Sequence, residues 1–74
     1  MTARIMEDFQ VLQRYRVMVL DRDAHPEEAA RYRINGRTFD PVPIHSRRSD
    51  DTMPRNFIAI RSTECFKGSA VEFV

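Results

Sequence analysis

The sequence predicts a small, mainly β domain, built as a five-stranded barrel of the SH3 or oligonucleotide-binding (OB) type or as a strongly bent roll. Three observations support this class. The chain has 74 residues, enough for one domain. Asn35-Gly36 separates two alternating runs, the strongest short-range signal for a hairpin. Several other short runs of β-branched and aromatic residues are bounded by turn residues. The alternative is an open α+β sheet.

The N-terminal segment, residues 3–13 (ARIMEDFQVLQ), fits two patterns. Ile5, Phe9 and Leu12 follow helical spacing. Phe9 also shares its parity with the apolar residues of the next run, as one long strand requires. We favour a short N-terminal helix or arm, loosely attached within a single 1–74 domain. A strand is the alternative, as is a chain whose ordered structure begins near Met6.

The next run, residues 15–20 (YRVMVL), is β-branched and aromatic and predicts a strand. One face of it carries Tyr15, Val17 and Val19, and the other carries Arg16, Met18 and Leu20. Apolar groups on both faces favour an interior strand, or one covered by the N-terminal segment.

One helical turn is predicted for residues 26–30. Pro26 suits the first position of a helix, because its missing N–H needs no partner there. Glu27 and Glu28 then lie at the positive end of the helix dipole. An acidic docking patch is the functional alternative for this segment.

The stretch RYRINGRTFD, residues 31–40, predicts a two-residue type I′ hairpin, because Asn and Gly both tolerate positive φ. In this register Tyr32 faces Phe39, and Arg31 faces Asp40. The inner face then carries Tyr32, Ile34 and Phe39, with Arg37 at its rim. The solvent face carries Arg31, Arg33, Thr38 and Asp40.

The segment DPVPI, residues 40–44, contains Pro41 and Pro43, which cannot donate to a β-ladder. It therefore predicts an edge strand or a bent strand that crosses from one sheet to another. A polar loop over residues 45–56 follows it.

Two further strands are predicted near the C-terminus. In residues 56–61, Ile58 and Ile60 lie on one side, and Phe57 and Ala59 lie on the other. Residues 70–74 (AVEFV) have Val71 and Phe73 inward, and we expect this strand to lie at an edge of the sheet.

Two interaction surfaces follow from these elements. An exposed strand edge can pair with another chain, and a chain this small gains from self-association. We therefore favour a non-catalytic protein-interaction module or homodimer, whose candidate edge contacts are Val42, Ile44, Val71 and Phe73. The alternative is a nucleic-acid-binding barrel that uses an arginine surface. The candidate residues of that surface are Arg31, Arg33, Arg37, Arg47, Arg48 and Arg55.

Composition argues against several other classes. The net charge is +1, which is less positive than a dedicated nucleic-acid-binding protein usually carries. The chain has two glycines, too few for a phosphate-binding loop, and Cys65 is its one cysteine. We expect no enzymatic activity, no metal or other cofactor and no membrane partner. The N-terminus has no apolar run of signal-peptide length, so we expect a cytoplasmic location.

Overall fold

A computed structural model of the chain describes residues 2–43 and 56–74. Within these ranges six antiparallel strands form one open sheet in the order β4-β3-β6-β1-β2-β5, with almost no helix. The strands are β1 (Thr2–Leu12), β2 (Tyr15–Leu20), β3 (Tyr32–Ile34), β4 (Arg37–Phe39), β5 (Phe57–Arg61) and β6 (Ala70–Phe73). The mainly β class predicted from the sequence is confirmed, with six strands in place of the five expected.

Strand β1 occupies the segment for which a helix was favoured, and that prediction is wrong. Its first residues pair with β6, from Thr2 to Arg4, and the stretch from Ile5 to Leu12 pairs with β2. The helical spacing of its apolar residues is a weak preference, and backbone hydrogen bonds to strands on both sides override it. The register slips at two β-bulges, which contain Met6 and Val11. These slips also hid the strand periodicity.

The Asn-Gly hairpin forms as predicted, with Tyr32 opposite Phe39 and Ile34 opposite Arg37. Asn35 has a φ of 52° and Gly36 a φ of 80°, the left-handed conformation that both central positions of a type I′ turn require. The helical turn expected over residues 26–30 is a 3-10 helix, Pro26–Glu28, with Pro at its start.

The core lies on one face of the curved sheet, and every strand except β4 contributes a buried aliphatic side chain to it. Its fully buried large residues are Ile5, Met18, Leu20, Ile34, Ile58, Ile60 and Val71. Phe66, from the turn before β6, and Tyr32 complete it. Tyr32 packs edge-on against Phe73, with the ring centroids 6.0 Å apart. The inward faces predicted for the hairpin, β5 and β6 are therefore confirmed.

A buried ion pair joins β1 to β2 on this core side. Nε of Arg16 donates to a carboxylate oxygen of Asp8 at 2.6 Å, and the Asp8 side chain is fully buried. The guanidinium also donates to the Thr63 carbonyl at 2.9 Å, while the second oxygen of Asp8 accepts the backbone N–H of Phe66. The pair thus anchors the turn before β6 to the β1–β2 hairpin.

We expect Asp8→Ala to cost about 3–5 kcal/mol in the free energy of unfolding, because it leaves the buried Arg16 charge without a partner. Urea denaturation measures the change. Glu7→Ala, at the exposed neighbouring position, is the control and should leave the unfolding midpoint nearly unchanged. Equal losses in the two variants would contradict the structural role given to the pair.

Burial of Tyr32, reinforced by the negative charge of Glu27, raises the pKa of its phenol above the ordinary value of 10.0. The unfolded chain therefore ionises first, at about pH 10. The contribution of Tyr32 to stability is fully present below that pH and is lost as the pH rises through the higher folded-state pKa. We expect the urea midpoint to fall above about pH 10 less steeply in Tyr32→Phe than in the unchanged protein; identical slopes would contradict this.

Candidate functional site

The three hairpin arginines of the predicted basic surface are exposed, and each has a carboxylate partner. Nε of Arg31 lies 3.2 Å from a carboxylate oxygen of Asp40, its predicted cross-strand neighbour. Nη1 of Arg33 lies 3.5 Å from a carboxylate oxygen of Glu72 on β6. The Arg37 guanidinium pairs with the carboxylate of Glu64. The positive charge at this end of the sheet is therefore locally compensated.

Arg37 has a second role in the fold. Its guanidinium carbon lies 5.4 Å from the centroid of the Phe39 ring and 5.7 Å from that of Phe66. These two rings also contact each other edge-on at 5.6 Å. Arg37 thus closes the rim of the core, as its parity predicted, through cation–π contacts. The other candidate arginines, Arg47, Arg48 and Arg55, lie outside the described residues.

The predicted edge contacts are not together at one strand edge. Strand β6 lies between β3 and β1, so the expectation that it is an edge strand is wrong. Val71 is fully buried and Phe73 is half-buried. Both edges of β6 are paired, one with β3 and the other with the first residues of β1, the strand at the opposite end of the chain. Val42 is half-buried, and its N–H donates to the Ala59 carbonyl of β5 at 2.9 Å. Ile44 lies outside the described residues.

An open edge does exist on β1. Pairing with β6 ends at Arg4, and Ile5 makes the last backbone hydrogen bonds on that side, to Gly68 and Ser69. Asp8 then bonds the Phe66 N–H through its side chain. From Phe9 to the end of β1, no described strand pairs with the edge that faces away from β2.

The sheet also presents an outer face, opposite the core, on β1, β2 and β5. Its register aligns three rows of three side chains. The first row is Glu7, Val19 and Phe57; the second is Phe9, Val17 and Ala59; the third is Leu12, Tyr15 and Arg61. Seven of these nine residues are apolar or aromatic, so the face resembles a buried sheet surface more than a solvated one.

Exposure is concentrated along β1. Five large hydrophobic residues of the described chain are exposed, and four of them lie between Met6 and Leu12. On the outer face, Phe9 is 52% exposed and Leu12 is 65% exposed. Exposed large apolar side chains in neighbouring rows of a sheet face, beside an open edge, are typical of a contact surface.

The two charges of the outer face lie at its opposite corners, Glu7 on β1 and Arg61 on β5. Arg61 donates to the Tyr15 hydroxyl at 2.8 Å and lies 5.2 Å from the centroid of that ring. Within the described residues neither charge has an ion-pair partner on the chain.

Other chemistry is sparse in the described residues. A groove of about 400 Å³ runs beside Thr38–Pro43 and Arg61, and its charged side chains, Asp40 and Arg61, bond Arg31 and Tyr15. Cys65 is exposed. In residues 2–43 and 56–74 no group of three or more acidic, His or Cys side chains is arranged to hold a metal. The helix described in this part of the chain is far too short to cross a membrane.

Comparison with protein-family models, with curated proteins and with solved structures gives no match. The outer face and the open edge of β1 are the features of the described chain that bear on its function.

Sequence reasoning located the parts of the outer face without combining them. It placed Tyr15, Val17 and Val19 on one face of β2, and Phe57 with Ala59 on one side of β5. Phe9 joins them only in the strand alternative, whereas a helix was favoured for that segment. Leu12 was not placed beside them, because the bulge at Val11 changes which residues of β1 share a face. The sequence signal that could have revealed the outer face is the strand over residues 15–20, which has apolar residues on both of its faces.

We expect Phe9→Ser to change the free energy of unfolding by less than about 1 kcal/mol, since the side chain is half in water already. Ile5→Ser, on the core side of the same strand, should cost more than about 3 kcal/mol. Urea denaturation of both variants tests the two-faced character of β1. A large loss in Phe9→Ser would show that the outer face is covered by the chain itself.

Proposed function

We propose that this chain is a small, non-catalytic protein-interaction module whose contact surface is the outer face together with the open edge of β1. The observation that carries the proposal is the concentration of exposed large hydrophobic residues on β1 between Met6 and Leu12. Covering them removes apolar area from water, at roughly 25 cal/mol per Å².

Hydrogen bonding supports the same surface. The edge of β1 beyond Asp8 offers backbone N–H and C=O groups, with which an added strand pairs regardless of its side chains. The adjacent outer face then selects side chains of the partner. An edge of this kind also favours aggregation unless a partner covers it.

We further infer that the sheet curls into a small barrel of the SH3 or OB kind. Support comes from Val42, which continues the chain beyond β4 and donates to Ala59 on β5. Strands β4 and β5 stand at the two ends of the strand order, so this bond links the two ends of the sheet. In such a barrel the outer face points to solvent, where a partner can reach it.

The nucleic-acid alternative, which uses the arginine surface, has less structural support than the interaction module. Its described members, Arg31, Arg33 and Arg37, each lie beside a carboxylate. Binding a phosphate backbone there would require breaking these pairs or adding a third charge to each of them.

The test is quantitative capture by the immobilised full chain, from extract of the source cells and from a solution of the chain itself. We expect at least one protein to bind, and the double variant Phe9→Ser/Leu12→Ser to reduce its capture about tenfold or more. Val74→Ser changes an exposed residue away from the outer face and should leave capture unchanged. Equal capture by both variants, or none by the unchanged chain, would refute the proposal.

A further inference from the structure

We propose that the partner of the outer face is the same face of a second copy of this chain, packed about a two-fold axis with the two sets of strands crossing steeply. The inference rests on the proposed function and adds the identity of the partner and the orientation in which it binds.

The spacing of the two corner charges defines the orientation. Glu7 and Arg61 are two strands apart, about 10 Å across the sheet. They also differ by two rows, about 14 Å along the strands. The line joining them therefore runs obliquely across the outer face, with Val17 near its midpoint.

A two-fold axis lying between two such faces can take four simple directions. Along the strands, it sets Glu7 against the partner's Phe57. Across the strands, it sets Glu7 against the partner's Leu12. Along the line that joins the charges, each charge meets its own copy. Perpendicular to that line, Glu7 meets the partner's Arg61, and the pair occurs twice.

Electrostatics favour the last of these directions. The first two bury a charge against an apolar side chain, which costs free energy without a compensating bond. The third brings like charges together, which is repulsive. The fourth forms two ion pairs at the rim of the interface, where partial solvation keeps the cost of desolvation low.

The same direction also suits the apolar residues. It brings Phe9 beside the partner's Tyr15, and it sets Val17 near its own copy on the axis. With the spacings given above, the strands of the two sheets cross at about 70°, close to the orthogonal class of sheet packing. Phe9 and Tyr15 are then paired as aromatic neighbours, which favours this orientation further.

The surface is small for a stable dimer. Eight of the nine outer-face residues are at least partly exposed, since Ala59 is already buried, against the roughly 20–30 residues per side of a standard protein interface. We therefore expect weak association, with a Kd in the micromolar range or above, which a concentration series has to cover.

Sedimentation equilibrium of the full chain from about 10 µM to about 1 mM tests the inference at low salt, where exposed ion pairs are least screened. We expect a monomer–dimer equilibrium. Glu7→Arg and Arg61→Glu should each weaken it about tenfold or more, and the double variant that exchanges both charges should restore the Kd to within about threefold. Lys67→Glu makes the same change in net charge as Arg61→Glu, away from the outer face, and should leave the Kd unaltered.

Failure of this inference is distinguishable from failure of the proposed function. If the chain stays monomeric at all concentrations while Phe9→Ser/Leu12→Ser still abolishes capture of a cellular protein, the second copy is excluded and the interaction module stands. If a dimer forms but the double charge exchange remains as weak as either single variant, the crossed orientation is wrong. Glu7 and Arg61 are both exposed, so each variant is expected to fold, which its urea midpoint verifies.

Discussion

The change of partner along β1 is the constraint on which the sheet depends. One strand of 11 residues pairs first with β6 and then with β2. It thereby joins the half of the sheet formed by β4, β3 and β6 to the half formed by β2 and β5. The bulge at Met6 lies at this transition and lets the strand bend. Because the pairing of β1 with β6 ends at Arg4, the later part of β1 keeps an open edge. The junction that completes the fold therefore also creates the candidate interaction surface.

Local chemistry made some of this architecture predictable. The hairpin followed from Asn35 and Gly36, because a type I′ turn restricts two adjacent residues and fixes the register of everything beside it. The helix assigned to residues 3–13 was wrong because the evidence against it is non-local. Only the presence of β6 and β2 on either side, together with bulges at Met6 and Val11, makes an extended strand the better state for that segment.

Strand order explains the remaining differences in the site. The alternation in Val71 and Phe73 predicted their inward direction, and the structure agrees for both, but it carried no information on which strands would flank β6. The same limit applies to the outer face. The sequence of each strand shows which of its residues share a face, but only the register shows which faces of neighbouring strands lie side by side. The hairpin arginines illustrate the reverse case. Their abundance indicated a basic surface, whereas the fold brings Glu64 and Glu72 from distant positions to Arg37 and Arg33.

Stability and association are linked in a chain of this size. Beyond Asp8, β1 contributes no buried side chain, since its residues from Phe9 to Leu12 are all exposed. The Asp8–Arg16 pair holds the base of this hairpin, while the outer face at its end is the proposed contact surface. Binding to the folded chain alone raises its free energy of unfolding by mass action, so a partner on the outer face would also stabilise the β1–β2 hairpin. Charge changes at Glu7 and Arg61 are expected to alter association without removing core contacts, whereas loss of Asp8 is expected to weaken the hairpin itself. Measuring association and unfolding for both kinds of variant therefore distinguishes a loss of binding from a loss of folding stability.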